Sequence, residues 1–437
     1  MSEARIAIGN LGDGKLSITR SSDDGAARSA ISLADPDIIR DPYSIYRELR
    51  AVSSIFRSDS LFGDAWVFMD PEDILTLLRD TDHLSSAKSR GIVDALPLEQ
   101  RDQFKGLIEL HSRWLNFFDP PKHTRMRKLV GRGFGAQIGE RLLQAIRDLV
   151  AEMISSFENK DHVDIINDYA RRVPLATVSE FLGIPKKDLP SFGRWIGDIA
   201  TYMGSDQPDL ETIKTAHRSL VEFEQYFREV VAERRKSPIP DDLISTLIEA
   251  EETGDVLTED ELFAQCTFLS FTGSETTKNL IGNAIYTLLQ NDSQRRLLVE
   301  NPTMIGRAIE EILRFECPVQ FIVRIVKEPF TYKSAKLGSG EYVIMMIGAA
   351  NRDPKVFTDP DVFDFAQERP KHISFGEGIH ACLGQGLARK ESEIAIGAFM
   401  AKFPNAELDQ ERGFSWRKNP GLRGLESLYV KLGRQYT

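Results

Sequence analysis

The tightest constraint on this chain is a loop of ten residues, Phe375-Gly376-Glu377-Gly378-Ile379-His380-Ala381-Cys382-Leu383-Gly384, which presents one thiol among three glycines. Leu383, Leu387 and Ala388 read as the opening of a helix that starts at Cys382. The partial positive charge of a helix N-terminus, with nearby backbone N–H groups, favours the sulfur as thiolate, the form that ligates a metal. Gly376 and Gly378 allow a tight turn and a close approach to a flat group that a Cβ would obstruct. Phe375 would cover the sulfur and keep water away. The simpler reading of an isolated cysteine is a small buried hydrophobe, and the spacing argues against it here.

The segment resembles, at every fixed position, the haem-binding signature of the cytochrome P-450 family, Phe-Gly-x-Gly-x-His-x-Cys-x-Gly. Through Leu387, Ala388, Arg389 and Glu391 it is most similar to the soluble bacterial members. The resemblance implies haem b with its iron ligated by Cys382, and Phe375, Gly376, Gly378, His380 and Gly384 as cofactor-binding residues. It also implies a mainly α fold with small β-sheets (α+β), in which the haem lies between a long central distal helix and a proximal helix that follows the cysteine loop.

A chain of 437 residues has room for two or three average domains, but no Gly/Ser-rich tract, repeat or low-complexity block divides this one. One catalytic domain is therefore expected over residues 31–437, after a loosely held extension, residues 1–30, rich in Ser, Asp, Gly and Arg. No stretch offers eighteen consecutive apolar residues, and Met1-Ser2-Glu3-Ala4-Arg5 lacks the order of a secretory signal, so a cytoplasmic protein of prokaryotic type without a membrane anchor is expected. Three scattered cysteines fit a reducing compartment, with Cys266 and Cys317 as core residues. A net charge of −11 argues against nucleic acid as a partner.

Thr258 to about Asn291 reads as a long helix, opened by a capping box of Thr258 and Glu261 and carrying Leu262, Phe263, Cys266, Leu269, Ile281, Ile285 and Leu288. Its apolar pattern is interrupted by Thr272-Gly273-Ser274-Glu275-Thr276-Thr277. Hydroxyls bonded back to carbonyls one turn earlier would account for such a run structurally. The run also resembles the family's oxygen-activating helix. That resemblance makes Gly273, Glu275 and Thr276 catalytic: Gly273 leaves room for dioxygen, Thr276 holds reduced dioxygen and an ordered water, and Glu275 relays protons from solvent.

Haem carries two propionates that need cationic partners. By resemblance, His123 and Arg127 after Asp119-Pro120-Pro121, Arg324 in the extended run Val319 to Val326, and His380 supply them. On their own, the first two read as a solvated basic face and Arg324 as an edge residue. Glu311-Ile312-Leu313-Arg314 matches the family's Glu-x-x-Arg, a lock for the loop before the cysteine, and Asn351-Arg352-Asp353-Pro354 with Asp359-Pro360-Asp361 and Phe363 matches its meander, with Arg352 placed to complete the ion-pair network.

Oxygen cleavage of this kind consumes two electrons, and no dinucleotide fingerprint or cysteine cluster supplies them here. A separate ferredoxin-type partner follows, for which Arg125, Lys128 and Arg132 form a basic stripe. The substrate is expected to be an apolar small molecule, with a pocket roof from the loop between Ala87 and Trp114, Phe268, Phe271, Thr272 and Val319 to Val323, and a lid near Ile199 to Asp206. The expected protein is a monomeric monooxygenase. Two alternatives are a peroxygenase driven by hydrogen peroxide, against which the acid-alcohol pair counts, and a non-catalytic recruitment module, against which the thiol and that pair both count.

Overall fold

The computed structural model describes residues 6–10, 16–20, 35–58, 65–87, 104–137, 139–203, 209–239, 243–252 and 258–433. The chain forms two compact units, neither continuous in sequence: 1–88 with 310–382 and 416–423, and 89–309 with 383–415 and 424–437. No helix among the described residues is long and apolar enough to cross a membrane.

The first unit is built on a five-stranded sheet. Its middle strand, Tyr342–Met345, pairs parallel with Ala65–Phe68 and antiparallel with Ile322–Val326, and Ile55–Ser58 and Leu84–Ser85 lie at the edges. Side chains alternate between the two faces, and both faces are buried. Ala65, Val67, Val323 and Ile344 pack with Tyr43, Tyr46 and Leu49 of the helix Pro42–Val52. Trp66, Phe68, Val343 and Met345 pack with Ile74, Leu77 and Leu78 of the helix Pro71–Arg79. Each helix is entered through an aspartate N-cap followed by proline, Asp41-Pro42 and Asp70-Pro71. The expected extended run after Pro318 is strand only over Ile322–Val326. Within the first thirty residues, Ile6–Asn10 and Leu16–Arg20 pair as an antiparallel ribbon.

The second unit is helical. Its longest element, Glu259–Gln290, has Thr258 as N-cap, and both halves of the capping box form: Glu261 N–H donates to Thr258 Oγ1 and Thr258 N–H to Glu261 Oε2, each at 3.1 Å. Its 32 residues span about 48 Å. The helix is buried around most of its circumference, as befits an element enclosed by others, and it packs against Arg172–Leu182 and Gln385–Lys402. A small sheet joins His162–Asp164 and Glu407–Leu408 to Leu425–Lys431.

Candidate active site

In the cysteine loop, Gly376 and Gly378 have φ of 68° and 73°, the left-handed region in which a side chain is strained. Cys382 N–H donates across the loop to Phe375 O at 2.8 Å, and Gly376 N–H to Ile373 O at 2.9 Å. The first bond commits the cysteine to the loop, so the helix starts at Gln385 with Gly384 as N-cap rather than at Cys382. Gly378 is required by close packing to protein. A Cβ there would lie 2.8 Å from the Leu78 carbonyl oxygen and 3.3 Å from Arg79 Cα, in the last turn of Pro71–Arg79. A Cβ on Gly376 would meet, among the described residues, Ile322 Cδ1 at 3.6 Å. Arg324 lies on the same sheet face as Ile322, opposite Val343 in register, and is buried, with Nη1 donating to Val323 O. His380 Nε2 and the Ser86 hydroxyl are in hydrogen-bond contact at 3.0 Å, and Arg79 pairs with Glu377 at 3.3 Å.

Behind this loop, Glu311 and Arg314 form a two-pronged buried pair: Nε to Oε2 at 2.7 Å and Nη2 to Oε1 at 2.8 Å. Arg314 also donates to the carbonyls of Asn351, Pro360 and Val362. The second cation is Arg369, whose Nε lies 3.1 Å from Glu311 Oε1. Arg352, expected in that place, donates instead to Phe315 O and pairs with Asp361, its guanidinium 3.7 Å from the rings of Tyr43 and Phe315. Two aromatic faces and a carbonyl direct it away from Glu311.

On the long helix, every residue from Leu262 to Ile285 is buried except Thr272, Gly273 and Thr276. These fall at i, i+1 and i+4 and so open a single patch on one face. Thr276 Oγ1 donates to Thr272 O at 2.7 Å, Thr272 Oγ1 to Phe268 O at 2.8 Å and Ser270 Oγ to Cys266 O at 2.6 Å. The back-bonding of hydroxyls that the sequence allowed is therefore present. A Cβ on Gly273 would lie 2.8 Å from Val178 Cγ2, so the glycine lets this helix and Arg172–Leu182 approach closely. Glu275 is buried and ion-paired with Lys278, Nζ to Oε2 at 2.7 Å, with side chains 8% and 4% exposed. Sequence reasoning missed Lys278. Its signal was a lone cation in the otherwise apolar or neutral run after Thr277.

His123 and Arg127 lie on one face of the helix Lys122–Gln137, His123 fully within the protein. This helix reaches the residues just past the cysteine: a Cβ on Gly131 would meet Leu383 Cδ1 at 3.9 Å, and one on Gly384 would meet Phe134 at 3.7 Å. On its other side Arg125 pairs with Glu261 at 2.5 Å, which ties up part of the basic stripe, while Lys128 is exposed. The side chain of Arg132 lies outside the described residues, as do residues 88–103 of the expected pocket roof and 204–206 of the expected lid. Phe271 stacks on Trp114 and Phe268 packs tilted against it, with centroids 5.6 and 5.7 Å away. Cys266 and Cys317 are fully buried, as expected.

One further buried acid stands on Gln385–Lys402. Glu391 is 2% exposed, and burial pushes its carboxyl up to about 8, with the neighbouring Thr177 hydroxyl pulling weakly the other way. The folded protein keeps this proton while the unfolded chain, at about 4.5, releases it. The stabilisation is therefore complete below pH 4.5 and is lost as pH rises to about 8, a change on the order of 5 kcal/mol. Glu391→Gln is expected to flatten melting temperature against pH between 5 and 9; a slope equal to wild type would refute a neutral buried acid.

The residues present suit haem. One partly exposed thiol, in a glycine loop sealed by protein contacts, offers a single metal ligand. The sequence profile described as Cytochrome P450 matches residues 111–415. The chain is 33% identical over 403 residues to the biotin biosynthesis cytochrome P450 of Bacillus subtilis (strain 168), covering 92% of this chain and 98% of the relative. It is 34% identical over 404 residues to the polyketide biosynthesis cytochrome P450 PksS of the same organism, covering 90% and 96%. In fold it is similar to the crystal structure of P450BioI in complex with hexadec-9Z-enoic acid ligated acyl carrier protein, with TM-score 0.83 and 31% identity over 91% of this chain and 100% of that one. The chain belongs to the cytochrome P450 family, as a haem-binding monooxygenase with a cysteine thiolate ligand.

Proposed function

We propose that the protein hydroxylates an apolar small molecule of secondary metabolism, using electrons from a separate ferredoxin-type protein. The observation that carries this reading is the patch at Thr272, Gly273 and Thr276 on an otherwise buried helix, beside the carboxylate of Glu275. Haem with a thiolate ligand supplies the reductive cleavage of dioxygen and transfer of one oxygen atom to carbon.

The residues of this chain manage protons and position. Thr276 Oγ1 holds its proton toward Thr272 O and its lone pairs toward the patch, where they order a water. Glu275, ion-paired with Lys278, relays protons to that water from outside the helix. Phe268 and Phe271, fixed by Trp114, supply an apolar wall next to Thr272. His123, Arg127, Arg324 and His380 would hold the haem carboxylates. Lys128, exposed on the basic stripe, offers the electron donor a cationic contact.

Thr276→Ala is expected to retain the thiolate-type spectrum with carbon monoxide but to lower product formed per electron pair by about tenfold or more, with the balance appearing as hydrogen peroxide. Equal coupling in the variant would remove Thr276 from proton delivery. Substrate class is tested by the low-spin to high-spin shift on titrating apolar acids and terpenoids, free or as carrier-bound acyl groups. Peroxide-driven turnover at or above ferredoxin-driven turnover would favour a peroxygenase.

A further inference from the structure

Three consecutive residues before the cysteine loop are fastened by side chains that the Glu311–Arg314 lock does not use. His372 is 5% exposed. Its Nδ1 accepts from Ser374 N–H at 3.1 Å, and its Nε2 lies 3.2 Å from Glu310 Oε2. Ile373 N–H donates to Asn351 Oδ1 at 2.9 Å. Ser374 Oγ accepts from Asn351 Nδ2 and donates to Leu313 O, each at 2.7 Å. The His372 ring also packs on Phe375, centroid to centroid 5.8 Å at 47°.

Phe375 O accepts from Cys382 N–H, and Ile373 O from Gly376 N–H. The backbone fixed by His372, Asn351 and Ser374 is therefore the same backbone that sets the cysteine and the first loop glycine. Glu310 and Leu313 lie on the helix Ile305–Phe315, one turn of which also carries Glu311 and Arg314. We propose that His372 is a positioning residue for the thiolate. Held by Ser374 N–H and set beside Glu310, it fixes Phe375, whose carbonyl holds Cys382 N–H, and so sets the lifetime of the iron–thiolate bond and the reduction potential of the haem iron. The proposal rests on the haem-thiolate assignment; a wild-type protein without a thiolate-type carbon monoxide band would fail that assignment instead.

The test uses full-length holoprotein. In His372→Ala the thiolate-type band of the reduced carbon monoxide form should decay to the shorter-wavelength, thiol-type band about tenfold faster than in wild type, in line with the loss of a partner that orients a metal ligand. The reduction potential should move as well. Glu310→Ala, at a side chain 42% exposed, should change both in the same direction by less. A purely structural role would lower the melting temperature and leave band lifetime and potential unmoved, which would overturn the proposal. Should His372→Ala fail to load haem, Glu310→Ala decides alone: faster decay supports the role, and a wild-type lifetime and potential refute it.

Discussion

Cys382→Ser is expected to abolish the thiolate-type band with carbon monoxide and, with it, oxygen insertion, while leaving the polypeptide folded. The substitution exchanges one atom and keeps what shapes the loop: Cys382 N–H still reaches Phe375 O, and Gly376 and Gly378 still turn in the left-handed region. Chemistry alone changes, because a serine hydroxyl does not ionise near neutral pH and donates too little charge to the metal to promote O–O cleavage. Unfolding of the haem-free variant should lie within about 1 kcal/mol of wild type. A surviving thiolate-type band would mean that another cysteine is the ligand. Cys317 is a poor candidate: burial pushes its thiol up to about 11, and its Sγ is engaged with Val319 O. Cys266 is likewise sealed in the core.

Arg314→Ala should produce the largest loss of stability of any single change at these sites. The guanidinium is 1% exposed and satisfies Glu311 and three backbone carbonyls at once. Removing it leaves Glu311 with Arg369 as its remaining cationic contact and strips the Arg314 donor from the carbonyls of Asn351 and Pro360, while the Val362 carbonyl keeps Arg369 Nη2 at 3.0 Å. Breaking a buried pair from one side costs about 3–5 kcal/mol, a large part of the 5–15 kcal/mol that folded domains typically possess. Reduced haem incorporation and a lower urea midpoint would report it. Arg314→Lys should recover only a fraction, since an ammonium cannot present a planar fork to a carboxylate and three carbonyls. Full recovery by lysine would show that charge, rather than geometry, carries the lock.

What was legible in the sequence was local. The capping box at Thr258 and Glu261 announced the long helix to within a residue, because both of its bonds lie within one turn. The helix after the cysteine was read too early, because Gly384 caps it without a side-chain signal while Leu383 continues the apolar spacing. Long-range choices were not legible. Arg352 and Arg369 both follow the Glu-x-x-Arg helix, and only the placement of Tyr43 and Phe315 decides which one meets Glu311. Glu391 had a readable warning, since it shares a helical face with Leu387 and Ala395, both of which are buried. Lys278 had one as well, since it follows Glu275 by three residues and so shares its helical face.

The contact between Gly378 and the Leu78 carbonyl limits how this loop can be engineered. Transplanting the ten-residue cassette into another scaffold, or replacing it with a relative's, would fail wherever the recipient's equivalent of Pro71–Arg79 runs closer to the loop, since even one carbon added at the second glycine would come within 2.8 Å of the Leu78 carbonyl oxygen. Donor and recipient have to be matched at two sites far apart in the chain. Libraries that vary 375–384 are therefore best built with Leu78 and Arg79 diversified alongside.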